Sequence, residues 1–440
     1  MRMRLLLFLL LSISNSVFAV VQQFQLNNGL KLLVQEDHRA PIVVSMLWYH
    51  VGSADEPGGL QGVSHVLEHM MFKGTQKNPA GIFSKKIAST GGEENAFTNY
   101  DYTVYFEKVA NTELSTVLAL EADRMQQLLF DQQAFTKEMQ VIQEERRLRT
   151  DNNPQAIAIE RYMAAAYVSG PYHHPIIGWM DNLRHMTLQD AHAWYNNFYS
   201  PNNATLVIVG DVSAEKAYKL VSAYFSPLPA RAKYYPRKVR EPTFLGRKYI
   251  ELHTAAQVPL IVYGYTVPSF KTSKQLWQPY ALQLLAGILD ADESARFTTK
   301  LVHGNEVAST AAVYYDPFMR YQAQFILYAI PTKQHTIEQL KIAMLKEIAR
   351  LQTESIDVKE LERVKKQMIA QKIFEKDSVF AQAMDIGVHD NLNIAQTNIQ
   401  DYITAIQSIT PKQIQQVARQ YLIETASTEA VVFPQIQMKP

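Results

Sequence analysis

The stretch Gly62–Thr75, GVSHVLEHMMFKGT, sets two histidines four residues apart with a glutamate directly before the second. On a helix at about 100° per residue, Val63, Val66, Leu67, Met70 and Met71 fall on one face, whereas His65, Glu68 and His69 cluster on the other. Histidines that only filled a core would share the apolar stripe, and these do not. Residues i and i+4 are neighbours on a helix surface, so both imidazoles can reach one ion. Glu68 sits beside them at a slightly different angle, which suits a base acting on a water next to the metal.

A tetrahedral catalytic zinc needs a third protein ligand and one open position. The segment Phe135–Pro154, FTKEMQVIQEERRLRTDNNP, reads as an amphipathic helix with Phe135, Met139, Val141, Ile142 and Leu148 on its inner face. In that phase Glu138 and Glu145 point inward together and Glu144 points away. Two buried carboxylates are costly unless a cation compensates them. Glu145 as a ligand, with Glu138 as outer support, meets that need; an ion pair with Arg149, on the same face, is the competing arrangement. The chain has no cysteine, so any metal must be held by His, Asp or Glu.

Of 440 residues, 47% are hydrophobic, enough for two or more domains with real cores. With 43 basic and 42 acidic residues, nothing suggests a nucleic-acid partner. Residues 1–19, MRMRLLLFLLLSISNSVFA, begin with Arg2 and Arg4, continue in an apolar run Leu5–Leu11 too short to span a bilayer, and end on the small Ala19. That layout predicts a secretory signal peptide cut after Ala19, hence an exported protein, in a bacterial periplasm or secreted; a retained anchor is the alternative. No later segment is long and apolar enough for a stable membrane span.

The same grammar occurs twice along the chain. APIVVSMLWYHVGS (Ala40–Ser53) lines up with VPLIVYGYTVPS (Val258–Ser269), and the ends of the two halves each read as a helix followed by a strand. The expected organisation is a signal peptide (1–19), a metal-bearing domain (20–228), a Pro-rich basic linker (229–245) and a second, homologous domain (246–440). Hairpin-type strands mixed with long amphipathic helices predict the α+β class, as two tandem α/β sandwich domains forming a clamp.

H-x-x-E-H is the signature of the inverzincin metallopeptidases. Together with EMQVIQEERR (Glu138–Arg147), GGEENAFTNYDYTVYF (Gly91–Phe106) and the duplicated halves, it resembles the pitrilysin family. The similarity is greatest to its half-length type, that of mitochondrial processing peptidase and bacterial relatives. This resemblance implies one zinc per chain, bound by His65, His69 and Glu145, with Glu68 as catalytic base and Glu138 in support; Glu144 stays open as an alternative to Glu145. Asn95–Phe106, NAFTNYDYTVYF, alternates like a strand, and the resemblance implies that its Asn95, Ala96, Phe97 and Thr98 form an edge strand that takes up substrate as an added strand. His173 and His174, rival ligands by residue type, lie in a segment similar to a family turn of the Pro-Tyr-x-x-Pro-x-x-Gly kind.

The second half carries no H-x-x-E-H in Tyr280–Leu289, as the resemblance implies for a non-catalytic domain. Family members that complete the site from a second half use an Arg and a Tyr seven residues apart; Val302 and Ser309 stand at those places. The expectation is therefore an exported zinc endopeptidase acting on extended peptides through metal-activated water. Its expected partners are a peptide substrate and a homologous non-catalytic subunit, in a heterodimer, or a second copy in a homodimer. The alternative is a peptide-binding scaffold of the same fold without turnover.

Overall fold

Apolar runs without polar alternation, such as IVVSMLWY and ATLVIVG, belong to strands covered on both faces. The structure, a computed structural model, describes residues 20–232, 241–242, 246–395 and 398–435. The expected signal peptide and most of the expected linker lie outside the described residues. Strands β1 (Gln22–Gln25), β2 (Lys31–Glu36), β3 (Ile42–Tyr49), β4 (Glu93–Thr98), β5 (Thr103–Ala110) and β6 (Ala204–Gly210) form a sheet in the order β1-β2-β6-β3-β5-β4. A second sheet contains β7 (Lys248–Thr254), β8 (Leu260–Val267), β9 (Ala308–Tyr315), β10 (Ala323–Pro331) and β11 (Ser427–Pro434), ordered β7-β11-β8-β10-β9.

From β2 onward the two orders match strand for strand. In each matching set of five, the first strand lies parallel to the last in sequence, β2 with β6 and β7 with β11, and the remaining neighbours, β1 with β2 included, are antiparallel. The chain is two tandem copies of one mixed α/β unit, as the repeat of Pro41 and Pro259 ahead of β3 and β8 predicts. Asn28-Gly29 makes the turn between β1 and β2, and Thr336 caps the helix Ile337–Thr353 through a capping box with Gln339.

One feature was not expected from the sequence: the halves exchange helices. Pro154–Ala166, from the first half, lies on the second sheet, where Ala158, Tyr162 and Ala166 bury against Leu260, Val262, Ala430 and Val432. Val379–Asn391, from the second half, lies on the first sheet, where Ala383 and Ile386 bury against Val44, Met46, Trp48 and Val207. Each contact has a glycine at its tightest point. A Cβ on Gly387 would stand 2.0 Å from the Trp48 ring, and one on Gly264 would stand 2.3 Å from the Tyr162 hydroxyl.

Gly387 sits inside a helix, where alanine would gain about 1 kcal/mol of propensity. Trp48 is fully buried and cannot retreat, and overpacking typically costs about 1–3 kcal/mol. Gly387→Ala should therefore lower stability, measured by denaturant unfolding, and Trp48→Leu in the same chain should relieve the loss.

Two local expectations need correction. Val141 and Leu148, assigned to the inner face of the Phe135–Pro154 segment, are 50% and 72% exposed. The helix Gln132–Arg146 does bury Phe135, Met139 and Ile142 as expected, with Arg146 as the further buried residue, then loosens into a π-helical turn over Arg147–Asp151, where an α-helical projection loses phase. Asn95–Phe106, read as one alternating strand, is a hairpin: β4 turns at residues 99–102 and pairs with β5.

Candidate metal centre

The short helix Val63–Met70 buries Val63, Val66, Leu67 and Met70, which turns His65, Glu68 and His69 toward the opposite side. Its start is fixed by backbone packing. Gly62, at φ +99°, adopts a left-handed conformation, and a Cβ there would meet the Ile177 carbonyl at 2.6 Å. Gly178, at φ +84°, closes the same contact from the other side. This explains the turn that carries His173 and His174. It buttresses the start of the helix, with His174 Nε2 2.7 Å from the Ser53 carbonyl and His173 Nδ1 2.9 Å from that of Gly170.

Glu145 comes to the two imidazoles from the helix Gln132–Arg146. Its Oε2 lies 3.7 Å from His65 Nε2 and 3.4 Å from His69 Nε2, and one ligand atom from each of the three residues lies within 4.8 Å of the others. Zinc bonds of 2.0–2.1 Å at tetrahedral angles separate donors by about 3.3 Å. Both carboxylate–imidazole separations are close to that value, so the three donors suit a zinc ion, and two imidazoles with one carboxylate leave a fourth position open. Among the described residues this is the only group of three such side chains with that capacity.

The surrounding groups suit the same use. His69 Nδ1 lies 3.2 Å from Glu138 Oε2, while Lys73 Nζ lies 2.5 Å from Glu138 Oε1. With an ion beside Glu145, an Nδ1–H directed to Glu138 would leave the His69 Nε2 lone pair for that ion, the arrangement that raises the donor strength of a metal-binding imidazole. Arg149 pairs with the outer oxygen of Glu145 at 2.8 Å and is 77% exposed, and this ion pair leaves Oε2 of Glu145 facing the two imidazoles. Glu144 points to solvent and pairs with Arg147. His173 and His174 take no part.

Glu68 stands beside the triad without joining it. The Thr98 hydroxyl, at the end of β4, donates to Glu68 Oε2 at 2.6 Å. Burial raises the Glu68 carboxyl above its usual value, with Thr98 opposing it. Burial, reinforced by His69, holds His65 down at about 4, which keeps the imidazole neutral with one ring-nitrogen lone pair available. At His69 burial also pushes downward, but hydrogen bonds to Glu145 and Glu138 outweigh it and leave the imidazole above its usual value. The His69 hydrogen bond, foremost, holds Glu145 low. Titratable groups pushed apart within one cluster mark a functional site.

Asn95, Ala96, Phe97 and Thr98 lie along β4, the outermost strand of the first sheet, whose far edge carries no strand among the described residues. These residues and the three metal-capable ones were expected from the sequence, whereas Lys73 and the Thr98–Glu68 contact were not. Lys73, four residues after His69, had a helical-spacing signal; Thr98 and Glu68 are joined only by tertiary structure.

Residues 31–179 match the family model described as insulinase (peptidase family M16), and residues 185–368 match that of the peptidase M16 inactive domain. The zinc protease PqqE of Helicobacter pylori is 31% identical over 425 residues, spanning 93% of this chain and 92% of that one. The chain belongs to the M16 peptidase family. This M16 protein is also 25% identical to mitochondrial-processing peptidase subunit beta of Neurospora crassa, over 83% of its own length and 78% of that chain. A crystal structure of a protease from Helicobacter pylori superposes with a TM-score of 0.90 at 29% identity, covering 95% of this chain and all of that one. The periplasmic protease PqqL of Escherichia coli, at 20% identity and a TM-score of 0.77, shares the fold.

If Glu145 binds the metal and Glu144 does not, Glu145→Gln should remove most bound zinc and Glu144→Gln should leave it in place. Glu138→Gln should fall between them, losing about 10–100-fold in affinity. Competition with a chelator of known affinity measures all three, and equal losses from Glu144 and Glu145 would contradict the assignment.

Proposed function

We propose that this chain is an exported zinc-dependent endopeptidase that cleaves extended or unfolded peptides. His65, His69 and Glu145 hold one zinc ion, Glu138 orients His69, and Glu68 is the general base. When bound, zinc supplies a Lewis acid that polarises the scissile carbonyl and makes a water easier to deprotonate. Glu68 takes the proton from that water and passes it to the leaving amine. Its raised affinity for protons in a buried setting suits both transfers.

The observation that carries this reading is the Thr98–Glu68 contact. It ties the base to the end of a strand whose free edge can take a peptide by main-chain hydrogen bonding, so substrate backbone and proton acceptor share one frame. The relatives named zinc proteases support the chemistry, and the signal-like residues 1–19 support export.

An added strand requires an extended backbone. A flexible peptide should therefore be cut efficiently, and the same sequence locked in a rigid folded protein should be spared. Mass spectrometry of paired substrates reads this out; cleavage of the folded form with the peptide left intact would contradict strand addition.

A further inference from the structure

We propose that Arg320, supplied by the domain without the metal motif, is a positioning residue for the metal-bearing domain. It pins together the loop that leads into the histidine helix and the turn that ends β4.

Arg320 lies between β9 and β10 and reaches across to the first half. Its Nη2 stands 3.0 Å from Asp55 Oδ1 and its Nε stands 3.1 Å from Asp101 Oδ1. Its backbone N–H donates to Asp101 Oδ2 at 2.9 Å. The Tyr172 hydroxyl donates to the same oxygen at 2.6 Å and accepts from the Tyr321 N–H at 3.1 Å. The side chains of Asp55 and Asp101 are 2% and 3% exposed. Burial pushes both carboxyls up, Asp55 to about 6, and the Arg320 charge is the largest influence pulling them back.

Both aspartates sit one step from the candidate site. Asp55 is followed by Glu56, whose carboxylate accepts from the Gly62 and Ser64 N–H groups at 2.7 and 2.8 Å and so caps the first turn of the helix bearing His65, Glu68 and His69. Asp101 belongs to the turn after Thr98, the residue that holds Glu68. The two loops are also zipped to each other, Ser53 N–H to Asn99 O at 3.1 Å and Ala54 N–H to Tyr100 O at 2.8 Å. Arg320 therefore bears on the helix register and on the strand end together.

A buried ion pair is a weak source of net stability. That so costly a group is placed here points to geometry, and a misplacement of about 1 Å can cost on the order of 10²-fold in rate.

Two variants test this: Arg320→Met, and the charge-neutral triple Arg320→Met/Asp55→Asn/Asp101→Asn. The kinetic readout rests on the peptidase reading; hydrogen exchange on the metal-free protein does not. Arg320→Met should keep its zinc, lower kcat at least about tenfold with KM within a few-fold, and lose amide protection at residues 61–66 and 98–103. The triple variant should regain the unfolding midpoint but neither kcat nor protection. Should Arg320→Met fail to fold, the triple variant decides alone. Wild-type kcat and protection in the triple variant, or in Arg320→Met itself, would overturn the proposal. If the wild-type chain cleaves no peptide, the peptidase reading fails and the exchange comparison still judges the pin.

Discussion

Glu68→Gln should bind zinc as the wild type does and lose about 10²–10⁴-fold in kcat, the range for a removed general base. The separation of these effects follows from the geometry. Glu68 supplies none of the three donor atoms that face one another, so its amide leaves them in place. The substituted amide can still accept from the Thr98 hydroxyl, so the strand end stays attached while the proton acceptor is gone. Metal content by elemental analysis and turnover on a flexible peptide give the two numbers. Full activity with zinc retained would remove Glu68 from its role.

The chain on its own should be a weak peptidase, roughly 10²–10³-fold below a complex with a homologous subunit that carries the Arg and Tyr implied by the family resemblance. That range is the usual contribution of a donor aimed at a developing oxyanion. At the matching positions Val302 packs partly buried against the second core and has no donor. Ser309 is short, and its hydroxyl donates to the Ile330 carbonyl at 3.3 Å. Turnover of the purified chain, alone and after co-purification with such a subunit, tests this; a monomer or homodimer as active as the complex would contradict it.

The metal-capable cluster was legible because its signals are local. Helical period alone set His65, Glu68 and His69 opposite the apolar stripe, and it separated Glu145 from Glu144. The same projection misplaced Val141, which lies on an exposed flank of the regular helix, and Leu148, which lies beyond its end. The chain leaves α-helical geometry at Arg147, and the buried position there is taken by Arg146, which pairs with Glu160 at 2.9 Å and donates to the Gly178 carbonyl at 2.8 Å. A charged side chain with such partners reads as solvent-facing until those partners are known.

The tandem α/β architecture was legible from repeated strand patterns, whereas the helix exchange was not. An apolar helix such as PQAIAIERYMAAA has the same pattern whichever sheet it covers, and only Gly264 and Gly387, tight against an aromatic from the other half, record the choice. Contacts across domains, Arg320 with Asp55 and Asp101, leave no spacing in the sequence at all.

In the function proposed here, peptide cleavage depends on one zinc held by His65, His69 and Glu145. The most direct test of this dependence is to strip the protein of metal, titrate zinc back, and follow cleavage of a flexible peptide in the presence of the homologous subunit. The stripped protein should cleave nothing, and activity should rise and level off at about one zinc per chain, with no such rise in Glu145→Gln. Cleavage that survives metal removal, or that returns equally in Glu145→Gln, would contradict it.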